Sequence, residues 1–143
     1  MILTDANVLI YAFRRDADRH AEFSLWLETC LSEETTFGYS DLVLSAFIRI
    51  VTHQRIFAKP SSPKEAFAFA DALSGQPNAV RISPGDGHWD IFRKLSVAAE
   101  AKGNLIPDAY LAALAIESGS TLITCDRDFA RFKGLKWRHP LDP

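Results

Sequence analysis

Three aspartates, Asp5, Asp108 and Asp126, stand where strands hand over to helices. Asp5 follows the apolar start Met1-Ile2-Leu3, and Asp126 follows Thr121-Leu122-Ile123-Thr124. Asp108 comes directly after Pro107 and is expected to open a long apolar helix. In a parallel sheet, the carboxyl ends of strands and the amino ends of helices share one rim, where ligands bind. Three carboxylates on that rim repel each other unless something positive sits between them. A divalent cation with oxygen ligands meets that need. The arrangement points to a metal-dependent enzyme acting on phosphate.

Each acid also has a purely structural explanation. Asp5, in Thr4-Asp5-Ala6-Asn7, would serve as a cap for the helix that follows. Asn7 is then a group that orients Asp5 or a water. Asp108 lies in a first helical turn, where the dipole favours a negative charge by about 0.3–1 kcal/mol. Its neighbours Leu105, Ile106, Ala109 and Leu111 are apolar, however, so its charge is costly there without a cation.

Asp126 and Asp128 form the unit Asp126-Arg127-Asp128-Phe129. One of them binds metal while the other caps the short helix or orients Arg127. Asp126 comes first after the strand and is the nearer ligand, with Asp128 close behind. The Thr124 hydroxyl suits a hydrogen bond to a carboxylate or to a metal-bound water. Asp41 is the ambiguous fourth acid. It either shares the same rim or only adds negative charge to a helix start capped by Ser40.

These residues need a scaffold, and the chain supplies strands separated by helical segments. Strands are expected near residues 1–4, 36–39, 79–82, 121–124 and 135–137. Helices are expected over residues 8–14, 20–32, from 40, from 63, 88–101, 107–118 and 126–132. Pro63 suits a first helical turn, and Gly119 a helix end. The expected fold is α/β, a three-layer sandwich with a mainly parallel central sheet and helices on both faces. No repeat, linker or low-complexity tract divides the chain, so residues 1–143 read as a single domain.

The 143 residues are 48% hydrophobic and 24% charged, the balance of an ordinary globular protein. The opening lacks a basic stretch and a small-residue cleavage site, and no apolar run is long enough to span a membrane. Two cysteines, Cys30 and Cys125, make neither a disulfide framework nor a zinc pattern, so reduced core thiols in a cytoplasmic protein are expected. A net charge of -2 argues against a protein coated in basic residues for non-specific nucleic-acid binding. It leaves room for local basic patches. Arg14, Arg15 and Arg19 cluster early, and Arg127, Arg131, Lys133, Lys136 and Arg138 cluster late. Either is a phosphate-contacting patch or ordinary solvated surface. His20, His53, His88 and His139 have no ligand spacing, and HExxH, CxxC, Walker A and GxGxxG patterns are missing.

The chain resembles the PIN-domain ribonucleases, and within them the VapC toxins of toxin–antitoxin pairs, most of all the mycobacterial type. The resemblance rests on Thr4-Asp5-Ala6-Asn7, on Asp41-Leu42-Val43-Leu44-Ser45-Ala46-Phe47-Ile48-Arg49, and on His88-Trp89. It continues through Gly103-Asn104-Leu105-Ile106-Pro107-Asp108-Ala109 and Leu122-Ile123-Thr124-Cys125-Asp126-Arg127-Asp128-Phe129.

The resemblance implies an acidic pocket holding Mg²⁺ or Mn²⁺ and cleavage of structured or single-stranded RNA of the transfer or ribosomal class. It also implies homodimerisation and inhibition by a cognate VapB antitoxin. The family acids carry over to Asp5, Asp108 and Asp126, with Asp128 at the adjacent acidic position. One departure is plain. Many PIN domains have a glutamate in the helix after the second strand, where this chain has Ala46. Asp41 is five residues earlier on a helix of 3.6 residues per turn, so it cannot occupy the same place, although it could reach the pocket from the helix start or through water. The alternative is a degenerate PIN domain that binds without cutting. A haloacid dehalogenase-type phosphatase would need a second acid where Asn7 stands.

Overall fold

The computed structural model describes residues 1–143 and contains one five-stranded parallel sheet in the order β3-β2-β1-β4-β5. The strands are β1 (Ile2–Thr4), β2 (Phe37–Tyr39), β3 (Ala79–Arg81), β4 (Thr121–Ile123) and β5 (Trp137–Arg138). Around them lie α1 (Ala6–Phe13), α2 (His20–Ser32), α3 (Asp41–Val51), α4 (Pro63–Ser74), α5 (His88–Ala98) and α6 (Leu105–Ser118). The chain steps outward from β1 to β2 to β3, then returns past β1 to β4. Right-handed crossovers running in opposite directions put α1–α4 and α5–α6 on opposite faces, which makes the three layers.

Burial explains the strands' sequences. Every residue of β1 and β2 is buried, as expected of interior parallel strands covered on both faces. Gly38 in β2 is required by a close approach. A Cβ there would run into the Ile82 side chain and come within 2.7 Å of the Ile2 carbonyl. One apolar core of 28 buried residues joins the sheet to helices on both sides, with Phe37, Phe47 and Phe129 among its largest fully buried members. The large apolar side chains of α2, α3 and α4 divide between core and surface. Phe23 and Phe47 are buried, Trp26 and Phe69 pack partly buried against the core, and Leu25 and Phe67 are exposed.

Local chemistry sets the helix ends and moves several expected boundaries. Asp5 caps α1 by accepting the Ala6 N–H at 2.7 Å, so the helix starts at residue 6 rather than 8. Ser40 caps α3, and Ser62 with Glu65 forms a reciprocal capping box ahead of α4, with Pro63 in its first turn. α5 ends at Ala98, short of 101, and Glu100 adopts a left-handed φ of 50°. α6 begins at Leu105 rather than at residue 107, so Pro107 is the third residue of its first turn instead of the first. First-turn N–H groups have no intrahelical partner, so a proline there loses no hydrogen bond. The last strand is Trp137–Arg138, shifted from residues 135–137 by its pairing of Trp137 with Leu122. The helix expected over residues 126–132 is a 3-10 helix, Arg127–Arg131, capped by Asp126.

Cys30 and Cys125 are free and partly buried, and burial pushes both thiols up to about 11. No helix is long and apolar enough to cross a membrane.

Candidate active site

The acids gather where the strand order reverses. β1 is paired on one side with β2 and on the other with β4, so β1 and β4 flank the switch point where crevices open in such sheets. Asp5 leaves the end of β1 and stays tied to β4, its N–H donating to the Ile123 carbonyl at 2.9 Å. Asp126 comes three residues after β4, and Asp108 sits in the first turns of α6. Together Asp5, Asp108 and Asp126 line one open cleft of about 350 Å³. Asn7, Ala46, Arg49 and Asn104 share its wall.

Asp5 is held from several directions. Its Oδ1 accepts the Ala6 N–H, and its Oδ2 accepts the Thr124 hydroxyl at 2.8 Å and the Asn7 amide at 3.1 Å. The Thr124 hydroxyl in turn accepts the Asp126 N–H at 3.0 Å, and the Asn7 side-chain Oδ1 accepts the Cys125 N–H at 3.2 Å. A carboxylate offers about four lone-pair sites, so Asp5 keeps one on Oδ1 for a further partner. Asp126 uses Oδ1 to accept the Asp128 N–H at 2.9 Å, which leaves its Oδ2 without an internal partner. Asn7 and Thr124 thus both hydrogen-bond the Asp5 carboxylate.

The electrostatics are those of crowded negative charge. Burial raises the Asp5 carboxyl above its ordinary value, and the Asp126 charge adds to that, against the lowering pull of Thr124, Ala6 and Asn7. Asp108 is pushed up to about 6, first by burial and then by the charges of Asp5, Asp126 and Asp128. Asp128 is exposed and is not part of the cleft wall, yet its charge reaches Asp108.

Asp41 is the acid the structure places elsewhere. It lies 3.5 Å from the Arg81 guanidinium, is largely exposed, and lines a separate cavity between α3 and α4 with Tyr39, Leu44 and Phe67. Its position five residues before Ala46 turns it away from the wall that α3 offers the acids. That wall is Leu42, Ala46, Arg49 and Ile50, spaced for one helical face. Ala46, where many PIN domains carry a glutamate, does face the cleft. Arg49 is the residue that sequence reasoning passed over, and its spacing of three from Ala46 was the available signal.

The basic clusters are also resolved. Arg14 is buried, pairs with Asp16, donates to the Lys59 carbonyl and the Ser61 hydroxyl, and lies over the Phe57 ring. Arg19 pairs with Glu22. Arg14 and Arg19 are therefore paired within the chain, while Arg15, the third member of the early cluster, is exposed and enters no ion pair. Arg127 pairs with Asp142, while Arg131, Lys133, Lys136 and Arg138 remain exposed.

The carboxylates fit a hard divalent ion in chemistry: all-oxygen donors, shared repulsion and a spare lone pair on Asp5. No three of the protein's His, Cys, Asp and Glu side chains are gathered into a ready-made cage. Such a donor set suits an ion that keeps several water ligands and takes only one or two carboxylates directly, the habit of Mg²⁺.

The fold and cleft thus define an α/β protein with an acidic site at the switch point of a parallel sheet. A model of the PIN domain family matches residues 2–135. Ribonuclease VapC43 of Mycobacterium tuberculosis is 46% identical over 142 residues, spanning 99% of this chain and 97% of that one. Among solved structures, VapBC2 from Rickettsia felis bound to a promoter DNA fragment superposes with a TM-score of 0.70 at 21% identity, over 97% of this chain and 98% of that one. VapC20 from Mycobacterium tuberculosis, a sarcin–ricin loop cleaving toxin, gives 0.65 at 18% identity, over 95% and 99%. At those identities the two structures speak for the fold. The chain belongs to the PIN domain family, in its VapC branch.

Proposed function

We propose that this chain is a VapC-type toxin that hydrolyses RNA phosphodiester bonds with Mg²⁺ or Mn²⁺. In this reading it acts in the cytoplasm as a homodimer and is silenced by a VapB-type antitoxin. The observation that carries the reading is the shared cleft of Asp5, Asp108 and Asp126, whose crowding helps lift Asp108 to about 6. The ribonuclease names of the VapC relatives support the reaction class. The VapBC pairing in related structures supports the antitoxin.

Asp5, Asp108 and Asp126 would hold the ion, one or two of them directly and the rest through its waters, and an ion bound there would supply an acidified water and offset charge on the phosphate. Asp5 is kept in one orientation by Thr124 and Asn7, so the cleft does not reorganise around its charge. Asp126, through its free Oδ2, or Asp128 at the lip accepts the proton of the attacking water. An open cleft suits unpaired or looped RNA better than a stiff duplex, and transfer and ribosomal RNA are the substrate classes to compare.

Ala46 favours a second reading, a degenerate PIN domain that binds without cutting, because a neutral methyl occupies the cleft wall. One experiment separates the two. Purified protein is incubated with transfer RNA and ribosomal RNA in Mg²⁺ or Mn²⁺, beside Asp5→Asn and Asp108→Asn. The nuclease reading expects cleavage by the parent chain and none by either folded variant. Equal cleavage by parent and both variants removes the site assignment, and no cleavage by any of them leaves the binding module.

A further inference from the structure

A second depression of about 540 Å³ opens at the end of α3, lined by Arg49, Thr52, His53, Gln54 and Arg55. Arg49 lines both this basin and the acidic cleft, so the two are neighbours joined by one side chain. Arg49 and Arg55 are exposed and enter no ion pair, as is also true of Arg15, Arg131 and Arg138, but of these five only Arg49 lines the acidic cleft. No acid lines the basin. Two free guanidinium groups beside a carboxylate cleft have an evident use in an enzyme whose substrate is a polyanion, since a guanidinium fork matches phosphate oxygens.

We infer that the basin of Arg49, Thr52, His53, Gln54 and Arg55 binds the phosphate backbone of the RNA strand next to the bond being cut. Arg49 takes the phosphate nearest the acids, and Arg55 one further along. This rests on the ribonuclease reading and adds the strand's path to it. The end of α3 carries roughly half a negative charge from its dipole, which two full positive charges outweigh. Lys136, in the late basic stretch, is a poorer contact. Lys136 lines a cavity with Gly119 and Ser120, at the end of α6 and the start of β4, on the rim opposite Asp5.

The test uses the full chain carrying Asp5→Asn, a short fluorescein-labelled oligouridylate, and fluorescence anisotropy across a range of salt. Arg49→Gln and Arg55→Gln should each weaken binding about three- to tenfold and reduce the slope of log affinity against log salt by about 0.7, the value for one lost contact to a single strand. In the cleavage-competent chain, Arg55→Gln should raise KM and leave kcat nearly unchanged. Arg93→Gln, on α5 and paired with Asp90, should change neither. Unchanged affinity and slope in both arginine variants, with cleavage by the parent chain intact, overturn the basin and leave the nuclease reading standing. RNA affinity unchanged alongside lost binding of a poly-glutamate peptide assigns the basin to an acidic protein segment, and that too overturns it. A parent chain that neither binds nor cuts RNA overturns both readings together.

Discussion

The Thr124 hydroxyl donates to Asp5 Oδ2 at 2.8 Å, joining the strand at the start of the chain to the strand near its end. Thr124 is fully buried, and the same oxygen accepts the Asp126 N–H. One hydroxyl therefore aims two of the cleft's acids. Thr124→Val keeps the shape and removes both bonds, and is expected to cost about 1–2 kcal/mol in urea unfolding. Divalent-ion affinity by calorimetry should fall about 10–100-fold, and Thr124→Ser should recover most of it. A Thr124→Val chain with unaltered Mn²⁺ affinity would show that Asp5 needs no orienting partner.

Asp108 makes stability depend on pH in a defined direction. Its folded-state value of about 6 stands above the ordinary 3.8, so the folded chain holds its proton more tightly than the unfolded one. Stability should rise as pH falls from about 6 toward 4, and the destabilising effect should be fully present above 6. Asp108→Asn should flatten that window and raise Tm at pH 8 in EDTA. Saturating Mn²⁺ should also raise the parent's Tm, by about 2.7 kcal/mol of stability at a hundred times Kd. A Tm that falls steadily from pH 6 to pH 4 in EDTA, identically in parent and variant, refutes the coupling.

Ala46→Glu returns a carboxylate to the one wall of the cleft that lacks it. Without added metal this fourth like charge should lower Tm at pH 8. It should also tighten Mn²⁺ binding by about tenfold, since affinity for hard cations follows the number of charged ligands. Both changes are read from one thermal-shift titration. An Ala46→Glu chain with the parent's Mn²⁺ response would mean that this wall does not face the ion.

Gly38 tests the sheet beneath the site. An alanine Cβ would meet the Ile82 side chain and the Ile2 carbonyl, and the latter is backbone that cannot swing aside. Gly38→Ala is expected to destabilise the fold by about 1–3 kcal/mol, measured by urea unfolding. Because β2 lies next to β1, the same variant should loosen Asp5 and slow cleavage. A neutral effect on stability would place the sheet's tightest contact elsewhere.

The parts of the fold that follow from local rules were legible in the sequence. α2 spans residues 20–32 as its pattern predicts, and Gly119 ends α6 in the left-handed conformation such ends favour. Asp5, Asp108 and Asp126 could be placed on one rim because strand ends and helix starts share it. Long-range pairing was not legible. Nothing local to Asp41 announces that Arg81, on another strand, lies beside it. Nor does Arg14 look like a buried residue until Asp16, Phe57, Lys59 and Ser61 close around it. Pro107 misled because a proline reads as a boundary, whereas the first helical turn accepts it.

The pairing of β1 with β4 carries a consequence for how the protein comes into being. Ile2 is in register with Thr121, and Thr4 with Ile123. Asp5 is made long before Asp126, and Thr124, which aims both, arrives with the latter. A nascent chain therefore has no assembled cleft until β4 has left the ribosome and slotted in beside β1. If the chain cuts RNA, its own translation machinery is spared from it until β4 is in place, and any product truncated before β4 is inert.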